Sequence, residues 1–260
     1  MNSGNSDVVR YLKGTPGSTS EKRNLALEEP LVVSLLGGSS FTIMRTPGHD
    51  RELTAGFLLA EGIIFGKEDV ASMDGASGHT NEIRVTLKVR PVEGEKRNLA
   101  VLSSCGICGR PNPDALADEI KPLTAGIHVP PEVLYEVPGI VRKGQELFRQ
   151  TGATHAAALF NVQGEVAQVF EDLGRHNALD KAIGNAILTG ADMTKYGAFL
   201  SGRVSFEMVV KAGRAGISII AAVSAPTDAA VRLAKRLNIT LCGFVRGEEI
   251  TIYTKPERVG

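Results

Sequence analysis

The chain changes its pattern of apolar and polar positions near its middle. In the first half, apolar residues occupy every second position over residues 82–90, which is typical of a strand with one exposed face. Gly37 and Gly38 separate two further apolar runs and indicate a hairpin. Thr46 and Pro47 are suited to cap and begin a helix. The predicted elements of this half are strands over residues 31–36, 41–45, 82–90 and 98–102 and helices over residues 47–61 and 114–120.

In the second half, strand and helix patterns alternate. Two apolar runs, over residues 155–160 and 165–170, are separated by Gln163 and Gly164 and are expected to pair as a hairpin. The other predicted elements are helices over residues 130–135, 140–150, 178–187, 206–212 and 228–237 and strands over residues 198–201, 217–223 and 240–245. Such alternation is typical of right-handed crossovers, so we expect a mostly parallel sheet with helices on both faces.

These patterns divide the chain into a disordered tail over residues 1–24, an N-terminal α+β subdomain over residues 25–120 and an α/β domain over residues 121–260. The tail is rich in Ser, Gly, Thr and charged residues and lacks apolar periodicity. No segment has the apolar run of about 18 residues that spans a bilayer. The cytosol is therefore the expected compartment.

The charge balance excludes some classes of partner. Lys and Arg total 29, as do Asp and Glu, so the formal net charge is zero. A broad electrostatic contact with nucleic acid or an anionic membrane is not expected, whereas a local basic site is compatible with this balance. Three cysteines are too few and too oddly numbered for a disulfide framework, which agrees with a reducing compartment.

Cys105 and Cys108 form a C-x-x-C pair that is flanked by glycines and followed by Arg110. Such a pair is compatible with half of a zinc site, a thioredoxin-like redox pair or a nucleophilic thiol with a neighbouring helper. Zinc requires further ligands, and no other His or Cys has the spacing of a structural site, so no metal is expected. A thiolate in a glycine-rich loop, favoured by Arg110, is suited to carrying sulfur as a persulfide.

A second group of polar residues follows three of the predicted strands. Asp172, Arg175 and His176 lie between the end of one strand and the start of a helix, and Arg203 and Arg246 follow two other strands. In open α/β sheets, ligands bind at the carboxyl ends of the strands, and a helix N-terminus favours phosphate. Three arginines at one edge indicate a site for an anionic, phosphorylated ligand. A solvated loop with a helix cap is the alternative interpretation of residues 171–177.

His155 lies in a T-H-A-A sequence that partly matches the zinc deaminases. Those enzymes use H-x-E, in which Glu moves protons, followed later in the chain by P-C-x-x-C. Here Ala157 stands at the Glu position and the C-x-x-C precedes the histidine, which argues against deamination. His155 alone is more often a hydrogen-bonded core histidine, and Cys242, in an apolar strand, is expected to be a small buried hydrophobe.

Short motifs along the chain occur in the order found in one known family. In the first half they are E-E-P-L at residues 28–31, M-R-T-P-G-H-D at 44–50, G-F-L-L-A-E-G at 56–62 and S-S-C-G-I-C-G at 103–109. In the second half they are T-G-A-T-H-A-A at 151–157, E-D-L-G-R-H-N-A-L-D-K at 171–181, S-G-R-V-S-F-E at 201–207, S-A-P at 224–226 and L-C-G-F-V-R at 241–246. Together they resemble the formate dehydrogenase accessory sulfurtransferases, the FdhD/NarQ family, from about residue 25 to residue 255.

This resemblance implies a function in sulfur transfer. Members of the family take sulfur from a cysteine desulfurase as a persulfide and pass it to the molybdenum cofactor. That cofactor is in its bis-molybdopterin guanine dinucleotide form and then enters formate dehydrogenase. By position, Cys105 is the expected persulfide cysteine and Cys108 its helper. The cofactor-binding segment corresponds to Phe244, Val245, Arg246, Gly247, Glu248 and Glu249.

From the strand ends we add Arg175, His176 and Arg203 to the expected cofactor-binding residues, and Asp172 as an acceptor for guanine N–H donors. The resemblance also implies a homodimer and a cytidine deaminase-like three-layer sandwich with a smaller N-terminal α+β subdomain that carries the C-x-x-C loop. The first alternative to a sulfurtransferase is a chaperone that binds the molybdenum cofactor without thiol chemistry. A zinc hydrolase and a C-x-x-C oxidoreductase follow.

Overall fold

The computed structural model describes residues 3–15, 17–75, 81–88, 98–101 and 118–260. For residues 98–101 it describes the backbone only. These residues form a mixed α/β protein. The strands are β1 (Ser3–Arg10), β2 (Thr19–Ala26), β3 (Glu29–Leu35), β4 (Ser40–Arg45), β5 (Val70–Gly75), β6 (Glu82–Leu87), β7 (Asn98–Val101), β8 (His155–Phe160), β9 (Val166–Asp172), β10 (Gly197–Leu200), β11 (Ile219–Ala222), β12 (Thr240–Arg246) and β13 (Glu249–Thr254). The helices are α1 (Asp50–Ala60), α2 (Pro131–Gly144), α3 (Glu146–Thr151), α4 (Arg175–Thr189), α5 (Phe206–Ala215) and α6 (Asp228–Arg236).

The N-terminal segment differs from the predicted disordered tail. Strands β1 and β2 pair in antiparallel register over their whole length, from Ser3 opposite Ala26 to Arg10 opposite Thr19. Asp7 lies opposite Lys22, an arrangement of unlike charges that stabilises a two-stranded ribbon. Strand β2 also lies against α3. A polar composition therefore does not exclude regular structure in this segment, because backbone hydrogen bonds between the two strands and contact with one helix stabilise the ribbon.

The first half contains a mixed sheet in the order β5-β6-β3-β4-β7. The predicted hairpin is confirmed, and the predicted strands are confirmed where they are described, residues 89–90 and 102 lying outside the described residues. Strand β4 pairs in parallel with β7 so that Ile43 lies opposite Val101. Helix α1 begins at Asp50 rather than at Pro47, after His49 in a left-handed conformation (φ 56°). Thr46 does not cap it, because the Thr46 hydroxyl accepts the N–H of Leu173 at 3.1 Å instead. Of the predicted helix over 114–120, residues 114–117 lie outside the described residues.

The second half contains a six-stranded sheet in the order β13-β12-β11-β10-β8-β9. Only β10, β11 and β12 pair in parallel, whereas β8 and β13 run antiparallel to their neighbours. The expectation of a mostly parallel sheet is thus met only in the centre. Tight turns after β8 and β12 leave no room for a crossover helix, so the chain returns as a hairpin at both places. Strand β13 is not among the predicted elements.

Helices cover both faces of this sheet, as predicted. Successive strand residues alternate between two apolar clusters: Ala157 and Leu200 belong to one, and Ala158 and Phe199 to the other. Helices α4, α5 and α6 contribute to the first cluster. Helix α2 covers the opposite face and runs unbroken through Pro138, where the sequence predicts a gap between two helices. The helix continues through Pro138 because a row of buried apolar residues packs its whole length against the sheet. These residues are Val133, Leu134, Val137 and Val141.

The two halves share a core. Helix α1 lies along α4, and the apolar cluster that contains Leu53 and Leu58 also contains Leu179 and Ile183. Gly56 on α1 and Gly184 on α4 allow this approach, because a Cβ at either position would clash with the other helix's backbone. The core is therefore continuous across the predicted boundary at residues 120 and 121. No helix among the described residues is long and apolar enough to cross a membrane.

Candidate functional site

One edge of the second sheet brings five chain segments together. Strands β9, β10, β11 and β12 end there, and β8 begins there. The connecting loops are tied to one another: the N–H of Thr227 bonds the Val204 carbonyl at 2.9 Å, and the N–H of Phe244 bonds the Ser224 carbonyl at 3.4 Å. We call this region the basic edge; it comprises His155, residues 172–176, 201–207, 223–227 and 244–246.

The basic edge brings Arg175 and Arg203 close to His155. Arg175 is the first residue of α4, and Arg203 lies exposed in the loop between β10 and α5. The pKa of His155 is lowered from its ordinary value, first by burial and then by the charges of the two arginines. Gly202 leaves room for the imidazole, since a Cβ there would approach His155 Nδ1 to 3.1 Å. His155 is thus a half-buried, neutral ring at the mouth of a basic cluster rather than a core histidine.

His176 lies just below that cluster and is almost fully buried. Its Nε2 atom is 3.2 Å from the Ser205 hydroxyl and 3.7 Å from a carboxylate oxygen of Glu207. Burial lowers the pKa of His176, and the facing His176 imidazole lowers the pKa of Glu207 to about 2. The proton of the neutral ring therefore belongs on Nε2, facing the carboxylate. Within the described part of the chain, His176 Nδ1 and Arg175 Nε are buried without a hydrogen-bond partner.

Asp172 does not have the open carboxylate that is expected from its place in the sequence. The side chain is fully buried, and its Oδ1 atom accepts from the Gly174 N–H and the Asn177 amide, both at 2.9 Å. Its Oδ2 atom accepts from the Thr46 N–H at 3.1 Å and lies 2.7 Å from Lys181 Nζ. Both oxygens are already engaged, so the carboxylate is closed to guanine N–H donors, and Asp172 has a structural role here.

The same residues join the two halves of the molecule. Besides its bond to Asp172, Thr46 accepts the N–H of Leu173 on its hydroxyl and the ammonium of Lys181 on its carbonyl. The Asn177 amide reaches the Met44 carbonyl at 2.8 Å. We call these contacts the Thr46 joint. They fix the end of β4 directly beneath the basic edge.

The C-terminal segment forms the far side of the edge. Phe244 is in a left-handed conformation (φ 53°), which is uncommon for an aromatic residue and marks a bulge where β12 pairs with β13. The Arg246 guanidinium lies 5.6 Å from the centre of the Phe244 ring. Val245 is buried, and Gly247, Glu248 and Glu249 form the exposed turn to β13. The segment thus presents a ring and a cation at the sheet edge.

Comparison with known proteins decides the family. A model of the FdhD/NarQ family matches residues 26–260. The chain belongs to the FdhD/NarQ family. A relative from Thermoplasma acidophilum, named sulfur carrier protein FdhD, is 39% identical over 260 residues, covering 97% of this chain and 92% of the relative. One of the same name from Anaeromyxobacter dehalogenans is 41% identical over 255 residues, covering 91% and 88%.

The fold agrees with this membership. The structure is similar to the crystal structure of a candidate formate dehydrogenase accessory protein from Desulfotalea psychrophila, with a TM-score of 0.81. Sequence identity in that comparison is 26%, and both chains are covered completely. The likeness therefore extends to the whole chain.

Cys105 and Cys108, the sulfur-bearing pair expected from the FdhD/NarQ resemblance, lie outside the described residues. The strand that leads to them, β7, is described up to Val101. The third cysteine, Cys242, is fully buried, and burial raises the pKa of its thiol to about 12, which confirms its interpretation as a buried hydrophobe. No group of three His, Cys, Asp or Glu side chains among the described residues is arranged to hold a metal ion.

Three residues with roles in the site, Thr46, Ser205 and Glu207, are not among the site residues that the sequence predicts. Ser205 and Glu207 surround His176, and Thr46 holds Asp172. The first two lie in the family motif at 201–207 and Thr46 in the motif at 44–50, so the FdhD/NarQ resemblance is the sequence feature that could have found them. Periodicity could not, because these contacts join residues far apart in the chain.

Proposed function

We propose that this protein is a sulfurtransferase that carries sulfur as a persulfide on Cys105, with Cys108 as helper. The donor is a cysteine desulfurase, and the acceptor is the molybdenum cofactor in its bis-guanine-dinucleotide form, before that cofactor enters formate dehydrogenase. Family membership supports the sulfur-carrying role, since relatives at about 40% identity are named sulfur carrier proteins. The cofactor is the substrate of this reaction, not a resident group.

The observation that carries the proposal is the register of β4 and β7. The two strands are parallel, with Ile43 opposite Val101, so both chains leave the sheet at the same end. Three residues after Ile43, the chain is fixed to Asp172 through the Thr46 joint, beneath the basic edge. Cys105 follows Val101 by four residues, and four residues span at most about 14 Å. This common direction supports the proposal that Cys105 carries sulfur for a ligand at the basic edge.

The sulfur chemistry needs only thiolates and one reductant. The Cys105 thiolate attacks the outer sulfur of the donor persulfide; that S–S bond breaks, the donor leaves as a thiolate, and Cys105 carries –S–SH. Attack of the Cys108 thiolate on the Cys105 sulfur then forms a Cys105–Cys108 disulfide and expels hydrosulfide toward the acceptor. A cellular dithiol reduces the disulfide and restores both thiols. Such a cycle suits the reducing cytosol, in which we propose that the protein acts.

Binding of the cofactor is assigned to the basic edge. Arg175 and Arg203 suit its pyrophosphates, His176 lies beneath them, and Phe244–Arg246 with the 247–249 turn suits a guanine base. The six-stranded sheet with helices on both faces supports a cytidine deaminase-like sandwich for the second half. We further propose a smaller N-terminal subdomain that carries the C-x-x-C loop, and a homodimer as the working form.

The test is intact mass after incubation with a cysteine desulfurase and cysteine. A gain of about 32 Da that a reductant removes and that Cys105→Ala abolishes is the expected result. Cys242→Ala is the matched control and should load sulfur like the unmodified chain, because that thiol is buried. If Cys105→Ala and Cys108→Ala chains still activate formate dehydrogenase, the sulfur role is wrong and a cofactor-binding chaperone replaces it.

A further inference from the structure

The two faces of the six-stranded sheet are covered unequally. Helices α4, α5 and α6 contribute to the apolar cluster on one face. Among the described residues, the cluster on the other face takes its helical members from α2 alone. One helix cannot cover six strands, because a helix is about 10 Å wide and neighbouring strands lie about 4.8 Å apart. Apolar side chains at both margins of this face are accordingly only partly buried; they include Val166 and Val169 on β9 and Ile250 and Ile252 on β13.

The side of α2 that points away from the sheet is also exposed. Its exposed residues recur every three or four positions and therefore share one side of the helix. We call them the outer face of α2; they are Glu132, Tyr135, Glu136, Gly139, Ile140 and Lys143. Tyr135 and Ile140 are 41% and 40% exposed, although large apolar side chains on a helix usually face the core. A Cβ at Gly139 would meet no atom within 4 Å, so contacts within the described chain do not account for a glycine there.

Charge on this side of α2 is divided between the two ends of the helix. Glu132 and Glu136 lie in its first half, and Arg142 and Lys143 lie in its last turn, an order that agrees with the helix macrodipole. None of these four side chains forms an ion pair with another described residue. When two such helices pack antiparallel, the acidic half of each lies opposite the basic end of the other. The outer face of α2 is therefore complementary in charge to a second copy of itself.

We propose that the outer face of α2 docks against the same face of a second copy of this chain, with the two helices antiparallel and crossing at Gly139. In an interface with two-fold symmetry each contact occurs twice. Glu136 precedes Gly139 by three residues and Arg142 follows it by three, so in this arrangement each lies opposite the other in the second copy. Gly139 allows the two backbones to approach closely, as Gly56 and Gly184 do between α1 and α4.

The second copy covers the apolar surface that this chain leaves exposed. Tyr135 and Ile140 flank the crossing and are buried by it. The inference rests on the homodimer of the proposed function and names the surface that forms it. A contact built on one helix pair is smaller than the roughly 1,200 Å² of stable interfaces, so we expect a weak dimer that dissociates in the micromolar range. Below that concentration the outer face is exposed, and substitutions on it follow ordinary helix propensity.

The test exchanges charges between two versions of the full, reduced chain. One version carries Glu132→Lys and Glu136→Lys, and the other carries Arg142→Glu and Lys143→Glu. Sedimentation velocity at concentrations across the micromolar range measures the fraction of dimer. The unmodified chain should dimerise, and each variant alone should dimerise about tenfold more weakly, because like charges then meet. An equimolar mixture of the two variants should recover the dimer, since every charged contact is again between unlike charges.

Two basic residues in the last turn of another helix provide the matched control. Lys235→Glu with Arg236→Glu on α6 makes the same change of charge and should leave dimerisation unchanged. The mixture also controls for folding, since unfolded variants do not recover a dimer when they are combined. If circular dichroism shows that a double variant is unfolded, the single substitutions Glu136→Lys and Lys143→Glu repeat the test with less change to the helix.

Three results would overturn the inference. Folded variants that dimerise normally on their own would show that another surface joins the two copies, and the homodimer itself would stand. A mixture of folded variants that stays monomeric would show that these charges do not meet. An unmodified chain that is monomeric throughout would overturn both the face and the homodimer. Sulfur loading of Cys105 is measured by intact mass on the same chains, so failure of the sulfur role is distinguishable from failure of the interface.

Discussion

Asp172 and Lys181 form an ion pair that water does not reach, with exposed fractions of 0% and 1%. Replacing Asp172 with Asn leaves the Lys181 ammonium buried without a counter-charge. Removing one partner of a buried pair typically costs about 3–5 kcal/mol of unfolding free energy, and we expect Asp172→Asn to lose an amount in that range. Urea unfolding followed by circular dichroism measures it. Asp118→Asn, which removes an exposed carboxylate, should leave the midpoint almost unchanged, and equal midpoints for both variants would contradict the role given to Asp172.

We expect the free energy of unfolding to depend on pH through His176. Burial, and then the charges of Lys211 and Arg175, lower its pKa from 6.5 in the folded state, while Glu207 acts in the opposite direction. Above pH 6.5 both states hold a neutral ring, so this stability is fully present. As pH falls below 6.5, the unfolded chain takes up a proton that the folded chain does not, and the free energy of unfolding decreases.

The slope attributable to His176 should reach at most about 1.4 kcal/mol per pH unit. Urea midpoints at pH 7.5, 6.5 and 5.5 measure it, and His176→Gln should make the decline shallower. Glu207, with its pKa lowered to about 2, loses its contribution only below pH 4.5 and therefore does not confuse this range. An unchanged slope in His176→Gln would show that the ring does not titrate as described.

At the scale of elements, the packing of α1 on α4 depends on two glycines. Alanine in a helix interior is ordinarily more favourable than glycine by about 1 kcal/mol. At Gly184 this preference should be reversed, because a Cβ there would clash with the carbonyl of Glu52 and force the helices apart. We expect Gly184→Ala to destabilise the fold by more than about 2 kcal/mol, in the range of overpacked cores.

Gly139 provides the matched control for that substitution. It lies inside α2, on an exposed face, and a Cβ there would meet no atom within 4 Å. Gly139→Ala should therefore follow the ordinary propensity and raise the thermal midpoint. A Gly184→Ala chain that is as stable as Gly139→Ala would mean that α1 and α4 are not in close contact.

The elements also show what the sequence could predict. The alternation of β10, α5, β11, α6 and β12 is local, since each element carries its own period, and it was predicted correctly. Strand β13 was missed although Ile250 and Ile252 alternate with polar residues, because its run is short and follows a turn. The start of α1 was misplaced because Thr46 bonds Leu173, a residue 127 positions away, and local capping rules do not register such a partner.

The site residues divide in the same way, into those that local sequence predicts and those that depend on distant contacts. The sequence predicts the arginines at strand ends, because parallel strands end at a common edge, and the topology confirms that β9, β10 and β12 do so. The sequence does not predict that both Asp172 carboxylate oxygens are already bonded, because the partners Thr46 and Lys181 belong to two other parts of the chain. The thiol pair lies outside the described residues, so its role stays a prediction.

At the scale of the whole molecule, the shared core and the Thr46 joint predict that the two halves unfold together. The apolar cluster that includes Val33 in β3 and Leu200 in β10 is continuous, so neither sheet can lose its packing alone. Native-state hydrogen exchange should give the slowest amides of β3 and β10 the same opening free energy. Urea should produce one transition by circular dichroism. Two separated transitions, or exchange energies that differ beyond error, would show that the halves are independent.

The burial of Cys242 has a practical consequence for protein chemistry. Its thiol is enclosed between the sheet and α2, and burial raises the pKa of that thiol to about 12, so alkylating reagents at pH 8 should not modify it in the native chain. Any label taken up before denaturation then reports on Cys105 or Cys108. Cys242 therefore does not need to be replaced, and a labelled sulfur atom can be followed on Cys105 and Cys108 in the native sequence.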